Sequence, residues 1–378
     1  MNAPAQPRRR QPRRCCWAQR GFALALTLWV MAAILVAAAL FSYRVREAVN
    51  LAHRQQQNTE AMLDIAASQP EILFRLGVTP MSNYGLGTQP EGKSIFLDNR
   101  PYRGIGDTTV QLQDDRGLLN LNIVSDDRLL RFLAIVDVPP DQRGVLVDTL
   151  RDYIDADSLK RINGAEEPEY LALGLPPPRN ENLLTPYEAK NIIGWRDLPL
   201  LWENNRVPEL TTTGTSVAVN PNTAPKEVLA SLPGITSDLA DAIIAQRQIA
   251  PISSASVIAQ LAGGAPGDFV LNVIPLPANS VRVTHHAADL PWSIQYNVSL
   301  SPNNDKAPWR IDYYYKIRQS APQTQAATPA SAPANSTSRA SLFVTPGLPA
   351  NQPNEIPDLP PRYALPLSTI PSFLSAPN

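Results

Sequence analysis

The chain has 378 residues, 44% of them hydrophobic, and 33 basic residues against 34 acidic ones. That length and apolar content suit one large or two ordinary folded domains. The two cysteines, Cys15 and Cys16, are adjacent, which excludes a disulfide-built scaffold or a cysteine metal centre.

The charge is unevenly spread. Residues 1–20 carry Arg8, Arg9, Arg10, Arg13, Arg14 and Arg20 and no acid. The other 27 bases face 34 acids, a net charge of −7. A body of that sign has no electrostatic reason to seek nucleic acid or anionic lipid.

Phe22 to Phe41 is an uncharged apolar run of 20 residues whose one hydroxyl is Thr27. At about 1.5 Å per residue, such a helix spans the hydrocarbon core of a bilayer. The arginines ahead of it predict a cytoplasmic N-terminus, with residues 42–378 on the far side. The junction Arg20-Gly21-Phe22 stands before the apolar run, whereas a secretory signal is cut after it. A basic leader ending in glycine, then an aromatic residue and an apolar span, resembles a type IV prepilin signal. That resemblance implies cleavage by prepilin peptidase between Gly21 and Phe22 and methylation of Phe22. Pilins generally carry a glutamate at the position that is Leu26 here. An uncut signal anchor is the alternative reading.

Tyr43 to Leu76 mixes Val45, Val49, Leu51, Met62, Ile65, Ile72 and Leu73 with Arg, Gln and Glu, as in an amphipathic continuation of the helix. Gly77 and Pro80 predict its end. Residues 79–108 read as a loop, and Thr108 to Leu112 as a strand.

An internal repeat follows. Asn120-Leu-Asn122 lies 100 residues before Asn220-Pro-Asn222, and each leads into a helical pattern with a leucine, Leu129 or Leu229. Turns at Asp137-Val-Pro-Pro and Pro233-Gly-Ile precede second helices over Arg143–Ile154 and Ser237–Gln248. The asparagines suit helix N-caps. The second unit is similar to a helix-hairpin-helix, with Leu232-Pro233-Gly234-Ile235 at its turn. In DNA-repair proteins such a turn grips phosphate. Between Asn220 and Asp268, however, only Lys226 and Arg247 oppose Glu227, Asp238, Asp241 and Asp268, so packing is favoured and no nucleic acid is expected.

Between the units, Asp152, Asp155, Asp157, Glu166, Glu167 and Glu169 fall within eighteen residues. A solvated surface, a calcium site of hard oxygen ligands and a catalytic carboxylate pair are all open readings. His285-His286 read as surface residues on a connection between strands, and no Gly-x-Ser-x-Gly or His-Glu-x-x-His motif is present. Val281–Thr284, Ile294–Leu300 and Trp309–Arg318 read as antiparallel strands. Residues 319–378, rich in Pro, Ala, Ser and Thr, read as a mostly disordered tail.

Taken in order, Arg20-Gly21-Phe22 and its apolar span, Asp115-Arg-Gly-Leu-Leu-Asn-Leu-Asn122, Asp152-Tyr-Ile-Asp-Ala-Asp157, Gly164-Ala-Glu166, Tyr170, Glu188, Gly194 and Asn220-Pro-Asn-Thr-Ala-Pro225 resemble the minor pseudopilin K family of the bacterial type II secretion system. The resemblance covers about residues 14–318. It implies an α+β, pilin-like fold: a long N-terminal helix packed on a small antiparallel sheet, with a large inserted helical domain containing helix-hairpin-helix-like units. The matching division is a leader (1–21), a transmembrane helix (22–41), the periplasmic part of the helix (42–78), the first part of the sheet (79–113), the insert (114–276), the last part of the sheet (277–318) and the tail (319–378).

By the same resemblance the chain is an inner-membrane, single-pass, non-enzymatic subunit at the tip of the pseudopilus. Its partners are minor pseudopilins I and J, other pseudopilins, prepilin peptidase, the inner-membrane assembly platform and the outer-membrane secretin. Calcium is carried over to Asp152, Asp155, Asp157, Glu166 and Glu167. The missing glutamate at Leu26 marks a subunit with none of its own kind above it. A membrane-anchored DNA-uptake protein using the hairpin is the alternative.

Overall fold

A computed structural model describes residues 20–88, 94–264, 267–288, 290–301, 304, 307–318 and 356–359. The leader up to residue 19, and the tail apart from 356–359, lie outside them. The chain divides into two compact units, Met1–Glu60 and Ala61–Asn378.

The first unit is helical. Helix α1 runs over Arg20–Val78, 59 residues, and continues through Pro70. It is long and apolar enough to cross a membrane, and Ala23 to Glu60 are exposed throughout. The amphipathic face predicted from Tyr43 onward starts only at Ala61. From there Ala61, Ile65, Ser68, Ile72 and Leu76 are buried at spacings of three and four residues, which align them on one side of a helix.

In the second unit, short strands β1 (Met81–Ser82) and β2 (Gly85–Leu86) form a hairpin. Strands β3 (Asp98–Arg103) and β4 (Thr108–Asp114) follow. The sequence hides β3 because its residues are polar, with Asn99 at φ 66° and Pro101 in its middle. Both features belong on a sheet edge, where a missing N–H and a bulge do no harm.

The chain then leaves the sheet. Strand β5 (Leu119–Asn120) leads into α2 (Asp126–Ile135), α3 (Pro140–Ile154) and α4 (Glu167–Ala172). Next come α5 (Pro199–Trp202), α6 (Arg206–Leu210) and β6 (Thr211–Thr212), which pairs in parallel with β5. Helices α7 (Lys226–Ala230), α8 (Ser237–Ile249) and α9 (Ala255–Leu261) complete the excursion. The chain returns as β7 (Ser280–Ala287), β8 (Trp292–Leu300) and β9 (Trp309–Arg318). The five-stranded sheet has the order β3-β4-β7-β8-β9, every pairing antiparallel. This is the pilin-like α+β arrangement with its helical insert.

The insert leaves and re-enters between neighbouring strands, since Asp114 pairs with Val281 in register. Two apolar cores result. One joins the end of α1 to the sheet through Ile65, Ile72, Leu112, Val283 and Tyr296; the other, within the insert, holds Leu129, Phe132, Trp195, Leu229 and Ile243. The seam between them is polar. Arg282 is 1% exposed and donates to the Pro208 and Thr211 carbonyls and to the Tyr313 hydroxyl. Asn297 donates to both Asp115 oxygens at 2.9 Å.

The internal repeat is reproduced in the hydrogen bonds that shape its two turns. Asn122 N–H donates to Asn120 Oδ1 at 3.1 Å, and Asn222 N–H to Asn220 Oδ1 at 3.0 Å. Asn122 bonds both backbone groups of Leu183, and Asn222 those of Ile252. Leu129 and Leu229 are both fully buried. The asparagines are not N-caps: Ser125 and Pro225 hold those positions, and the asparagines shape the turn just before.

These bonds set two expectations for urea unfolding of the purified protein. Asn122→Ala and Asn222→Ala each strand a backbone donor and acceptor, and each should cost about 1–3 kcal/mol. A large loss at one position and none at the other would show that the two turns are not equivalent.

Candidate functional site

The seam is organised by a residue that sequence reasoning passed over. Asp114, the last residue of β4, is fully buried, and its four lone-pair positions are filled. Oδ1 accepts from Arg116 N–H at 3.0 Å and Ala278 N–H at 2.8 Å. Oδ2 accepts from Asn220 Nδ2 at 2.9 Å and Thr223 Oγ1 at 2.8 Å. One carboxylate thus ties together the exit of the insert, its second repeat unit and its return. Burial pushes its pKa up to about 6, and the four donors pull the other way. The signal that could have found it is a pair of acids, Asp114-Asp115, ending an apolar strand where neither can face solvent.

The acidic run lies at the end of α3 and in the loop before α4. Asp152 is fully buried and accepts from Arg161 N–H at 3.1 Å. Only glycine fits at position 164, where a Cβ would stand 1.8 Å from Asp152 Oδ2. Asp155 caps the end of α3, and its Oδ1 is buried without a partner. Glu166 precedes α4, is 4% exposed, and its Oε1 is likewise unpartnered. Burial first, then the charges of Asp152, Asp155, Asp157 and Glu169, push the Glu166 pKa up to about 7. Asp152 and Asp155 are also raised, burial again leading and a neighbouring aspartate adding to it.

The structure therefore brings Asp152, Asp155, Asp157 and Glu166 into one electrostatic neighbourhood and adds Glu169. Glu167 is exposed and is not among the charges acting on Glu166. Asn180 joins from the far side. Its Nδ2 donates to the Asp157 carbonyl at 3.1 Å, while its Oδ1 stays buried and unpartnered. Among the described residues, no three His, Cys, Asp or Glu side chains are already drawn together tightly enough to hold a metal. The chemistry fits a hard cation all the same, with crowded carboxylates and buried oxygens lacking donors.

At the hairpin, Leu232 and Ile235 are buried and Gly234 has φ 79°, a conformation that favours glycine. Lys226 is paired with Asp241 at 2.6 Å. Arg247 turns inward to the Pro221 and Ala224 carbonyls, at 3.0 and 2.7 Å. Arg128 and Arg131 reach the turn from α2 and bond Ser231, so these four cations are engaged within the fold, which supports packing over a phosphate clamp.

The histidines lie inside β7 and not on a surface connection. His285 is fully buried, its Nε2 3.0 Å from the Tyr296 hydroxyl, and burial pushes its pKa down to about 4. His286 bonds Gln111 and Ser293 at 2.6 Å each. An alternating strand ran further than its apolar residues announced. At the N-terminus, Gly21 and Phe22 lie in the first turn of α1, and Leu26 is exposed on it.

Two family models match, both described as type II secretion system protein K, over residues 116–197 and 219–273. The first covers the opening repeat unit and the acidic loop, and the second the hairpin unit. No curated protein is significantly similar in sequence. A solved structure described as the GspK-GspI-GspJ complex from the enterotoxigenic Escherichia coli type 2 secretion system is similar at 17% identity and TM-score 0.44, covering 69% of this chain and 97% of that one. Over these two regions the chain is similar to the type II secretion system protein K family.

Proposed function

We propose that the chain is a minor pseudopilin that caps the tip of a type II secretion pseudopilus. There it starts assembly with minor pseudopilins I and J and supports export of folded proteins across the outer membrane. The observation that carries this is the insert. An insert of some 160 residues leaves and re-enters between two adjacent strands across a buried polar seam, so its bulk is fixed to the sheet and would block another subunit from stacking above. Leu26, standing where pilins carry a glutamate, removes the matching partner at the helix end. The apolar start of α1 is the inner-membrane anchor. The arginine-rich leader holds the N-terminus in the cytoplasm and the body in the periplasm. Engagement of the histidines in the sheet and of the cations in the hairpin supports a structural subunit over an enzyme or a DNA receptor.

The acidic loop fits the same role as a calcium-braced joint. Asp152, Asp155, Asp157 and Glu166 would hold the ion, with Glu169 beside them. The ion would supply the positive charge that this neighbourhood lacks and tie the end of α3 to the start of α4.

Three outcomes are expected. The protein purified from its native membrane should begin at Phe22, N-methylated; an intact leader in cells with active prepilin peptidase would remove the pilin assignment. Deleting the gene should abolish pseudopilus assembly and secretion, and unchanged secretion would sink the tip role. The third concerns pH. With calcium chelated, Glu166 binds its proton more tightly folded than unfolded, so stability should fall as pH rises from about 4.5 to about 7. Calcium should flatten that fall in a thermal scan, and Glu166→Gln should flatten it without calcium. A melting temperature at neutral pH that ignores calcium would count against the ion.

A further inference from the structure

The tail was expected to be disordered, yet Ile356–Leu359 is seated against the β3 edge of the sheet. The Arg103 N–H donates to the Pro357 carbonyl at 2.8 Å, and Asp358 bridges Arg103 in parallel register. The Arg103 guanidinium and Asp358 carboxylate stand 3.4 Å apart, an exposed pair that adds little by itself. Leu359 is half-buried against the core shared by α1 and the sheet. It closes one side of a cleft of about 260 Å³ whose other walls are Ser68, Ile72, Arg75, Gly104 and Val110.

We propose that this edge is an acceptor site for an extended peptide, and that its ligand is the chain's own Ile356-Pro357-Asp358-Leu359, bound in cis. The geometry is that of strand addition, in which a backbone bond supplies attraction and side chains in pockets supply choice. Three features set the choice: a carbonyl for Arg103 N–H, an acid for its guanidinium and a leucine for the cleft. Pro357 has no N–H, so the added segment cannot lengthen the ladder.

The rest of the edge already protects itself. A bulge between Asp98 and Pro101, together with Pro101 itself, interrupts the outer side of β3. Arg103 is the donor beyond that interruption, and it is where the tail docks. Reach is no obstacle. The tail departs from β9 at the opposite edge, four strand spacings or about 19 Å away. The intervening residues 319–355 could extend several times that distance. Tethering keeps the local concentration of the segment high, so a weak contact stays occupied. The docked tail covers a stretch of the β3 edge, at Arg103, that could otherwise pair with another chain.

Amide hydrogen exchange on the full-length protein in detergent tests this. The Arg103 amide should be protected at any protein concentration. In Leu359→Asp, and in a chain ending at Arg318, it should exchange about tenfold or more faster, while β4 amides stay protected. A synthetic peptide of residues 352–362 should restore protection to the shortened chain and leave the full chain unchanged. Equal Arg103 exchange in the full chain and in Leu359→Asp would overturn the proposal. So would failure of the peptide to protect a shortened chain whose β4 remains intact. Protection that rises with protein concentration would assign the segment to a second copy and overturn binding in cis.

Discussion

The mounting of the insert on the sheet depends on one buried carboxylate. Asp114 has no exposure to water and survives as an acceptor only because four donors converge on it from three separate segments. Burying an unpaired carboxylate would be prohibitive. The arrangement is therefore close to all-or-none: the exit strand, the second repeat unit and the returning chain must all be in place for any one of the bonds to be worth making. A small apolar contact at the same point would hold the segments together but would tolerate sliding. Directional bonds to both oxygens do not.

The same logic runs along the seam. Arg282 serves the insert through two carbonyls and the sheet through Tyr313, and Asp115 is held by Asn297 from β8. Each apolar core is closed within its own half, so the seam contributes orientation more than burial. Buried polar contacts add modest net stability yet penalise wrong arrangements heavily. That suits a domain whose use depends on where it points. It also explains how an insert this large leaves the sheet undisturbed: β4 and β7 pair over seven residues as if nothing came between them.

The legible parts of the sequence were those governed by periodicity and by repetition. The long helix, four of the five sheet strands and both helical hairpins stood within a few residues of their observed ends, because apolar spacing and turn residues report directly on them. The 100-residue repeat was visible because its asparagines do the same job twice. What stayed hidden was set by tertiary partners. Strand β3 is polar and carries Pro101, so nothing local marks it. His285 and His286 look like surface residues until Tyr296 and Gln111 are placed beside them. Burial on α1 begins at Ala61 because the sheet ends there, not because the helical pattern changes. Ile356–Leu359 acquires structure from an edge some 250 residues earlier in the chain.

The acidic loop and Asp114 are built from the same residue type and differ only in what surrounds it. At Asp114, donors outnumber charges, and the carboxylate is tied down without any ion. Around Glu166, carboxylates crowd together, and Asp155 Oδ1 and Glu166 Oε1 are left buried with no donor. Two solutions exist for such a surplus: protonation, which the raised pKa of Glu166 already favours, or a cation that takes the place of the missing donors. The first leaves the end of α3 and the start of α4 joined without an ion, through backbone bonds to Asp152 and the Tyr153–Tyr170 ring contact. The second turns mutual repulsion into a cross-link. As pH rises past about 7 Glu166 gives up its proton, repulsion is at its greatest and a cation has the most to offset.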